Sequence, residues 1–473
     1  MSVRAPATVT SVGVSSGLVG RKWQLFAVLP LSLAFGLGAE NHAGVLFLVL
    51  FAGLFGLLLA TNVELAFLAC CASRPIVDNF VHLRFGPLSA GQAWGAGFVL
   101  VAAGVVLRSP SVSGLIRAYQ TPLLFLTLYF VCTFGRNGTE RSLLYEMKMA
   151  SWVLAAMATE YVARNAFGQR RVLGAGLVSA WLLALVVAIA IHLNHYGAAY
   201  YAASPRSVDD PVQGPHGLAS FAVLLLPFAL LPILGRISRG LAWILLGIVA
   251  AEVILSFVRS AVLAMAMVIG GYAILGIMRR RGAVISAIAV ACGAGLIAYS
   301  AYEEAISSRL ARGAPRLAYW EPVVRGTLND PIAFFFGRGA DSSFHLIHEA
   351  LGLSIWSHND FVDFFATGGI VLLIAYGFLI RWMAISMFTL FRSPQQSRAA
   401  RDIGLVGLTA CAAFVVLSVF NGIAFSPASI AIGLMIGLVR GMSATATATW
   451  VDQREESRPH AVDHWRSLAW TTK

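Results

Sequence analysis

Residues 357–380 read SHNDFVDFFATGGIVLLIAYGFLI, a short polar segment followed by a long apolar run. A bilayer crossing needs about 20 predominantly apolar residues, and the run from 361 to 380 has that length. The stretch therefore predicts a membrane-spanning helix that begins directly after His358, Asn359 and Asp360.

Similar runs occupy most of the 473-residue chain, which is 58% hydrophobic and 12% charged, whereas an ordinary soluble domain is about 25% charged. The sequence predicts an all-α fold: a polytopic transmembrane helical bundle of about 12–14 spans with one large periplasmic loop. The third and fifth runs are short for a crossing, so re-entrant or tilted segments are the alternative there. The fourteen apolar runs lie at 23–39, 43–60, 61–73, 90–107, 121–134, 143–161, 172–192, 216–235, 240–256, 260–278, 283–300, 361–380, 402–420 and 424–440.

The distribution of Lys and Arg predicts the orientation, because short cytoplasmic loops are enriched in both residues. With both termini in the cytoplasm, the basic residues favour cytoplasmic loops about two to one. The N-terminal tail has no signal-peptide cleavage pattern. The predicted regions are a cytoplasmic tail at 1–22, transmembrane helices with short loops at 23–300, a large periplasmic loop at 301–360, transmembrane helices at 361–440 and a polar cytoplasmic tail at 441–473.

The predicted periplasmic loop is long for a segment without a domain of its own, and such loops are usually functional. Its part from Ser307 to Thr327 has apolar residues at helical spacing, which predicts a short amphipathic helix on the outer membrane surface. These apolar residues are Leu310, Leu317, Trp320 and Val324.

Charge and motif content exclude several classes of function. The net charge of +12 arises mostly from arginine; this reflects either the base composition of the gene or binding of anions such as phosphate. Nucleic acid is not an expected partner. The chain has no Walker A pattern, which excludes an ATP-driven pump, and no Asp-x-Asp pair facing the cytoplasm.

Neither a metal site nor a disulfide is expected. His345 and His348 lie three residues apart, which does not match the spacing of a HExxH zinc motif. The five cysteines lie inside apolar runs, where they act as small buried hydrophobic residues.

The remaining polar motifs lie in the predicted outer loops and at their junctions with the spans. In chain order they are Arg206, Gly214-Pro215-His216-Gly217, Ser256-Phe257-Val258-Arg259-Ser260, Arg316-Leu317-Ala318-Tyr319-Trp320, Asp330-Pro331, Gly337-Arg338-Gly339 and Ser357-His358-Asn359-Asp360. The last motif continues through Gly368 and Gly369 into the next span.

From about residue 206 to residue 379, this series resembles the O-antigen ligase and O-antigen polymerase superfamily of bacterial envelope glycosyltransferases. The loop between Asp330-Pro331 and Gly337 is longer than in the family pattern, and Gly368-Gly369 stands where the family has Gly-x-x-Gly. The resemblance implies an enzyme of the bacterial inner membrane, without cofactor or metal. It would polymerise or ligate undecaprenyl-diphosphate-linked O-antigen or exopolysaccharide on the periplasmic face.

The expected partners are the undecaprenyl-diphosphate-linked glycan donor, a glycan or lipid-core acceptor, the bilayer and a chain-length regulator. A diphosphate is already a good leaving group, so the protein must stabilise its charge and supply a base for the acceptor hydroxyl. Arginine suits the first task, and an imidazole that titrates near neutral pH suits the second.

The resemblance assigns these tasks to particular residues. His358 is the predicted catalytic base; the alternatives are that it caps the helix through its neighbours Asn359 and Asp360, or that it is simply a residue of the membrane interface. The predicted diphosphate-binding residues are Arg206, Arg259, Arg316 and Arg338, and the predicted supporting residues are His216, Trp320, Asn359 and Asp360. Arg259 has two alternatives, anchoring a helix end at the interface or pairing with Glu252.

The alternative function is a multi-pass transporter or flippase for lipid-linked oligosaccharide or another anionic solute. Transporters tend to have paired repeats and ionisable residues in the middle of their spans. The charged residues in or near the predicted spans lie mostly at span ends, which favours chemistry at the membrane surface. They are Glu64, Glu146, Lys148, Glu160 and Glu252.

Overall fold

The protein was studied as a computed structural model, which describes residues 56, 58, 60–77, 84–85, 88–137, 140–194, 215–231, 239–255, 258–277, 315–353, 355–393, 396, 398–424, 426 and 428–456. The chain divides into two units, Met1–Asn62 and Val63–Lys473. The helices and strands named below belong to the second unit.

Within these residues the second unit is almost entirely helical. A short hairpin pairs β1 (Arg84–Phe85) antiparallel with β2 (Leu88–Ser89). In chain order the helices are α1 (Val63–Val77), α2 (Ala90–Leu107), α3 (Val112–Ala118), α4 (Gln120–Asn137), α5 (Glu140–Ala163), α6 (Ala166–Asn194), α7 (Pro215–Leu230), α8 (Arg239–Leu255), α9 (Arg259–Ile277), α10 (Pro315–Leu328), α11 (Pro331–Phe336), α12 (Ser342–Leu351), α13 (Asp360–Arg392), α14 (Arg398–Phe420) and α15 (Ser429–Glu456).

Eleven of the fourteen predicted apolar runs coincide with these helices, which confirms the helical character expected from the sequence. The runs at 23–39 and 283–300, and nearly all of 43–60, lie outside the described residues. Three described segments are long and apolar enough to cross a membrane: Phe167–Val186, Asp360–Arg392 and Ala400–Phe420. A fourth is added if Gly91–Leu107 and Val112–Ala118, which are bent by 116°, form one broken span. The larger number of spans stays a prediction.

Glycine residues allow a close contact between α5 and α15. Gly433, Gly437 and Gly441 recur every four residues along α15 and face the backbone of α5. A Cβ on Gly437 would overlap the Ala156 carbonyl oxygen, so the two helices pack with their backbones in near contact. Helices in membranes commonly associate through such small residues, because dense packing replaces the hydrophobic driving force available in water.

The long helix α13 begins with a cap and is broken after two turns. Asn359 caps it by accepting hydrogen bonds from the Phe361 and Val362 backbone N–H groups. At Gly368 and Gly369 the backbone leaves the helical conformation, with φ of 64° at Gly369. A left-handed φ favours glycine, and a Cβ at Gly369 would also overlap the backbone of α11.

The break frees backbone carbonyls that another segment then uses. The N–H of Arg338 donates to the Ala366 carbonyl at 2.7 Å, and the N–H of Gly339 donates to the Thr367 carbonyl at 3.0 Å. Gly337 makes this approach possible, because its φ is 69° and a Cβ there would overlap Thr367. The segment after α11 is thereby hydrogen-bonded to the part of α13 that precedes the break.

The predicted periplasmic loop is described from residue 315 onward. Most of this part forms the short helices α10 to α12, which pack on α13. Val323, Ile347 and Ala366 form the centre of a small apolar cluster, with Trp320 and Val324 against it. The amphipathic helix predicted at 307–327 is thus present from Pro315 onward. Its residue Leu317 is 64% exposed, so the apolar residues predicted to share one face divide between the protein core and the surface.

Candidate functional site

The segment before α13 is held by a local hydrogen-bond network. The Trp320 indole N–H donates to the Ser357 carbonyl at 2.9 Å. The Ser357 hydroxyl donates to an Asp363 carboxylate oxygen at 2.7 Å and accepts from the Asn359 N–H at 3.1 Å. His358 lies between these fixed residues, so its backbone position is set from both sides.

Asp360 joins the start of α13 to the loop between α14 and α15. It is fully buried, and its Oδ2 atom accepts hydrogen bonds from the N–H groups of Ile423 at 3.0 Å and Ala424 at 2.9 Å. A buried donor or acceptor left without a partner is costly, so these two hydrogen bonds tie the α14–α15 loop to the start of α13. A supporting role of Asp360 in the site stays a prediction.

Asn421 in the same loop forms hydrogen bonds with residues near the starts of α7 and α9. The Asn421 side-chain N–H₂ donates to the hydroxyl of Ser220 in α7 at 2.9 Å, and the hydroxyl of Ser260 in α9 donates to the side-chain oxygen Oδ1 of Asn421 at 2.7 Å. The Arg316 guanidinium donates to the carbonyl of Phe420, the last residue of α14. The structure therefore brings together the amino-terminal parts of α7, α9, α10 and α13, where four of the sequence motifs lie.

Several predicted site residues are located by these contacts. Arg259 is the first residue of α9, directly before Ser260, and His216 lies one helical turn before Ser220 in α7. The side chains of His216 and Arg259 lie outside the described part of the structure, as does all of Arg206.

The two described arginines of the predicted diphosphate site bind carbonyls near the carboxyl ends of helices. Arg316 contacts Phe420 as above, and the Arg338 guanidinium donates to the Gly326 carbonyl at 2.8 Å near the end of α10. Arg338 also lies 3.8 Å from the Asp330 carboxylate. The last carbonyls of a helix have no partner within it, so each arginine stabilises a helix end.

A cavity of about 250 Å³ lies beside His358. Its walls come from α4, α5, α12, the start of α13 and the α14–α15 loop. Its lining residues are Tyr129, Tyr145, Lys148, Asp341, Ser343, Trp356, His358, Asp363, Thr367, Asn421, Gly422 and Ser426.

The cavity combines charged and aromatic side chains. Asp341 and Asp363 are buried acidic residues of the lining, and the Lys148 ammonium lies 5.1 Å from the centre of the Tyr145 ring. The Tyr145 and Trp356 rings meet edge to face with centres 5.9 Å apart. Ligand sites usually have this composition, with aromatic walls and a few polar groups that fix the orientation of the ligand.

Two lining residues have an unusual backbone. Within the described part of the chain, the non-glycine residues with a left-handed backbone are Asp341, with φ of 63°, and His358, with φ of 54°. Both line this cavity. Non-glycine residues held in this region cluster at active and ligand-binding sites, where surrounding contacts enforce the conformation.

Sequence reasoning did not select Lys148, Asp341, Asp363 or Asn421 for the site. For Lys148 a signal was present, because a charged residue inside an apolar run marks a functional position by default. Asp363 likewise lies inside the apolar run that begins α13. Asp341 and Asn421 lie in polar segments that carry no such signal.

Within the described residues, no group of three or more His, Cys, Asp or Glu side chains is close enough to hold a metal ion. Transfer without a metal stays a prediction.

No protein-family model and no curated protein matches the chain. The resemblance to envelope glycosyltransferases therefore depends on the sequence motifs alone.

Proposed function

We propose that the chain is an inner-membrane glycosyltransferase that polymerises or ligates undecaprenyl-diphosphate-linked polysaccharide, and that the cavity beside His358 is its reaction centre. The observation that carries the proposal is the grouping of His358 and Asp341, both with a left-handed backbone, with Lys148 around one cavity. The motifs that begin α7, α9, α10 and α13 meet next to it.

The position relative to the membrane fits a lipid-linked donor. Helix α13 is long and apolar enough to cross a bilayer, and the cavity lies at its first turns. A carrier lipid in the same bilayer would present its diphosphate and first sugar at the end of this helix. In the orientation predicted from the basic loops, this end is periplasmic.

The reaction needs one base and one cation. The acceptor hydroxyl oxygen forms a bond to the anomeric carbon of the donor sugar, while the bond from that carbon to the diphosphate oxygen breaks. The electron pair of the broken bond leaves with the diphosphate, and the hydroxyl proton moves to the His358 imidazole. Lys148 is the cation among the described lining residues and would stabilise the departing diphosphate.

The arginines selected from the sequence complete the proposal around this centre. Arg316 reaches the rim, because its partner Phe420 precedes the lining residue Asn421. Arg206, Arg259 and Arg338 remain proposed diphosphate ligands. The Asp341 and Asp363 carboxylates would accept hydrogen bonds from sugar hydroxyls.

Glycan transfer by purified protein tests the proposal. The assay uses an undecaprenyl-diphosphate glycan, either with a second copy as acceptor or with a lipid core as acceptor, which separates a polymerase from a ligase. We expect His358→Ala to lower the rate about 10²–10⁴-fold, as loss of a general base does. The matched control is His345→Ala, because His345 is an exposed residue of α12 that does not line the cavity.

Three outcomes would contradict parts of the proposal. Full activity of His358→Ala at normal protein level removes His358 from the role of base. Loss of activity in EDTA with recovery in Mg²⁺ or Mn²⁺ contradicts transfer without a metal. Movement of the lipid-linked glycan across liposome membranes without any new glycosidic bond supports the transporter alternative instead.

A further inference from the structure

A second and larger cavity lies away from the reaction centre, in a groove between α4 and α13 that ends at α15. Its volume is about 710 Å³. The long wall is apolar and open: Leu124 is 59% exposed, Ile374 52% and Phe378 56%. Because α13 is a candidate membrane span, side chains exposed here would face lipid tails.

The far end of the groove is polar and positively charged. Arg381 is exposed at the rim and forms no ion pair within the described part of the chain. Arg440 lies beside it in the lining, with the hydroxyl groups of Ser386 and Ser443. The acidic residue of this end is Glu160, whose two carboxylate oxygens are already bound by Arg164 and Arg440. The groove end therefore keeps an excess of positive charge.

This end is distant from the reaction centre along α13. Arg381 follows Asp360 by 21 residues, which is at most about 30 Å at 1.5 Å per residue, because the helix is broken at Gly368 and Gly369. The donor diphosphate and a headgroup at Arg381 would thus lie toward opposite ends of this candidate span.

We propose that this groove binds one anionic phospholipid of the bilayer, with the headgroup phosphate at Arg381 and Arg440 and an acyl chain along Leu124, Ile374 and Phe378. Basic pockets between membrane helices bind anionic headgroups in this way. Arginine and tryptophan anchor helices at the membrane interface, and Trp382 lines the groove beside Arg381, where the Arg440 guanidinium lies 5.4 Å from its ring.

Native mass spectrometry of the detergent-purified protein tests the proposal, with phosphatidylglycerol and phosphatidylcholine added in equal amounts. We expect one phosphatidylglycerol to be retained in preference to phosphatidylcholine. Arg381→Gln should weaken this binding about fivefold, since a basic residue near an anionic headgroup contributes about 1 kcal/mol. Ile374→Trp, which fills the apolar wall, should reduce retention of the same lipid without changing the charge.

The matched control is Arg392→Gln, because Arg392 lies on the same helix but does not line the groove. Equal retention of both lipids, or equal loss in Arg381→Gln and Arg392→Gln, would show non-specific boundary lipid only and overturn the proposal. The result does not depend on glycan transfer, so the two proposals can fail separately.

Discussion

Charged side chains from other segments lie beside α13 in two regions. In one region they form an ion pair, and in the other they line a cavity. Toward the carboxyl end of α13, Glu160 and Arg440 form a salt bridge of 2.9 Å, and Arg440 also donates to Ser386 of α13 at 3.3 Å. At its amino end, Lys148 and Asp341 line a cavity instead. In the first arrangement, Glu160 of α5 and Arg440 of α15 neutralise each other and join their helices. In the second arrangement, charged side chains line a cavity that can hold a substrate.

The Glu160 salt bridge offers the largest expected effect on stability. The Glu160 side chain is 4% exposed, and it binds both Arg440 and Arg164. Glu160→Met leaves the largely buried Arg440 guanidinium without its carboxylate, so we expect a loss of about 3 kcal/mol in the free energy of unfolding. Denaturant titration in mixed micelles, followed by tryptophan fluorescence, measures this loss.

A double variant separates the ion pair from simple packing. In Glu160→Met with Arg440→Met, both charges are gone and apolar side chains of similar length remain. We expect at least half of the lost stability to return, because the cost comes from one uncompensated buried charge. No recovery in the double variant would contradict the ion-pair interpretation.

Lys148 should respond in the opposite way. Because it is exposed to the cavity, Lys148→Met should change the free energy of unfolding by less than about 1 kcal/mol. Glycan transfer should fall about 100-fold, as it does when one group that stabilises developing charge is removed. Lys148→Arg keeps the charge and should retain more activity than Lys148→Met. If Lys148→Met were strongly destabilised but fully active, Lys148 would have a structural role like that of Glu160, and the prediction would be wrong.

His358 allows the backbone conformation to be tested apart from the imidazole. Both His358→Ala and His358→Gly remove the proposed base, so both should lack transfer. The left-handed conformation costs an L-residue roughly 1–2 kcal/mol and costs glycine little. We expect the glycine variant to be more stable than the alanine variant by about 1 kcal/mol, measured by denaturant titration. Equal stabilities would mean that the segment does not hold φ at 54°.

The smallest expected effect concerns the support of His358 by Trp320. Trp320→Phe keeps an aromatic ring in the apolar cluster and removes the hydrogen bond to the Ser357 carbonyl. We expect a loss of about 1 kcal/mol in stability, together with a smaller fall in transfer than for His358→Ala. The rate of glycan transfer at saturating donor is the measurement, and an unchanged rate would show that this bond does not position His358.

The helices could be predicted from the sequence because hydropathy is a local property. The start of α13 was predicted well, since Asn359 has a side chain suited to a helix cap and precedes an apolar run. The grouping of Lys148 with Asp341 could not be predicted in this way. These residues lie almost 200 positions apart, and they line one cavity only because the tertiary fold brings their segments together.

The arginines show a different limit of sequence reasoning. A guanidinium recognises phosphate oxygens, and it recognises the unpaired carbonyls at the end of a helix with the same N–H donors. A motif therefore identifies the donor but not its partner. Arg316 donates to the Phe420 carbonyl and Arg338 to the Gly326 carbonyl, and diphosphate binding by either arginine stays a prediction.

The break in α13 at Gly368 and Gly369 has a consequence for biosynthesis. The carbonyls of Ala366 and Thr367 accept hydrogen bonds from Arg338 and Gly339, which leave the ribosome about 30 residues earlier. The donors thus exist before the acceptors reach a lipid environment, where an unsatisfied carbonyl costs several kcal/mol. An insertion machinery that released α13 before the preceding segment had docked would leave those carbonyls exposed to lipid. Because the donor segment is synthesised first, docking it as α13 emerges would avoid that exposure.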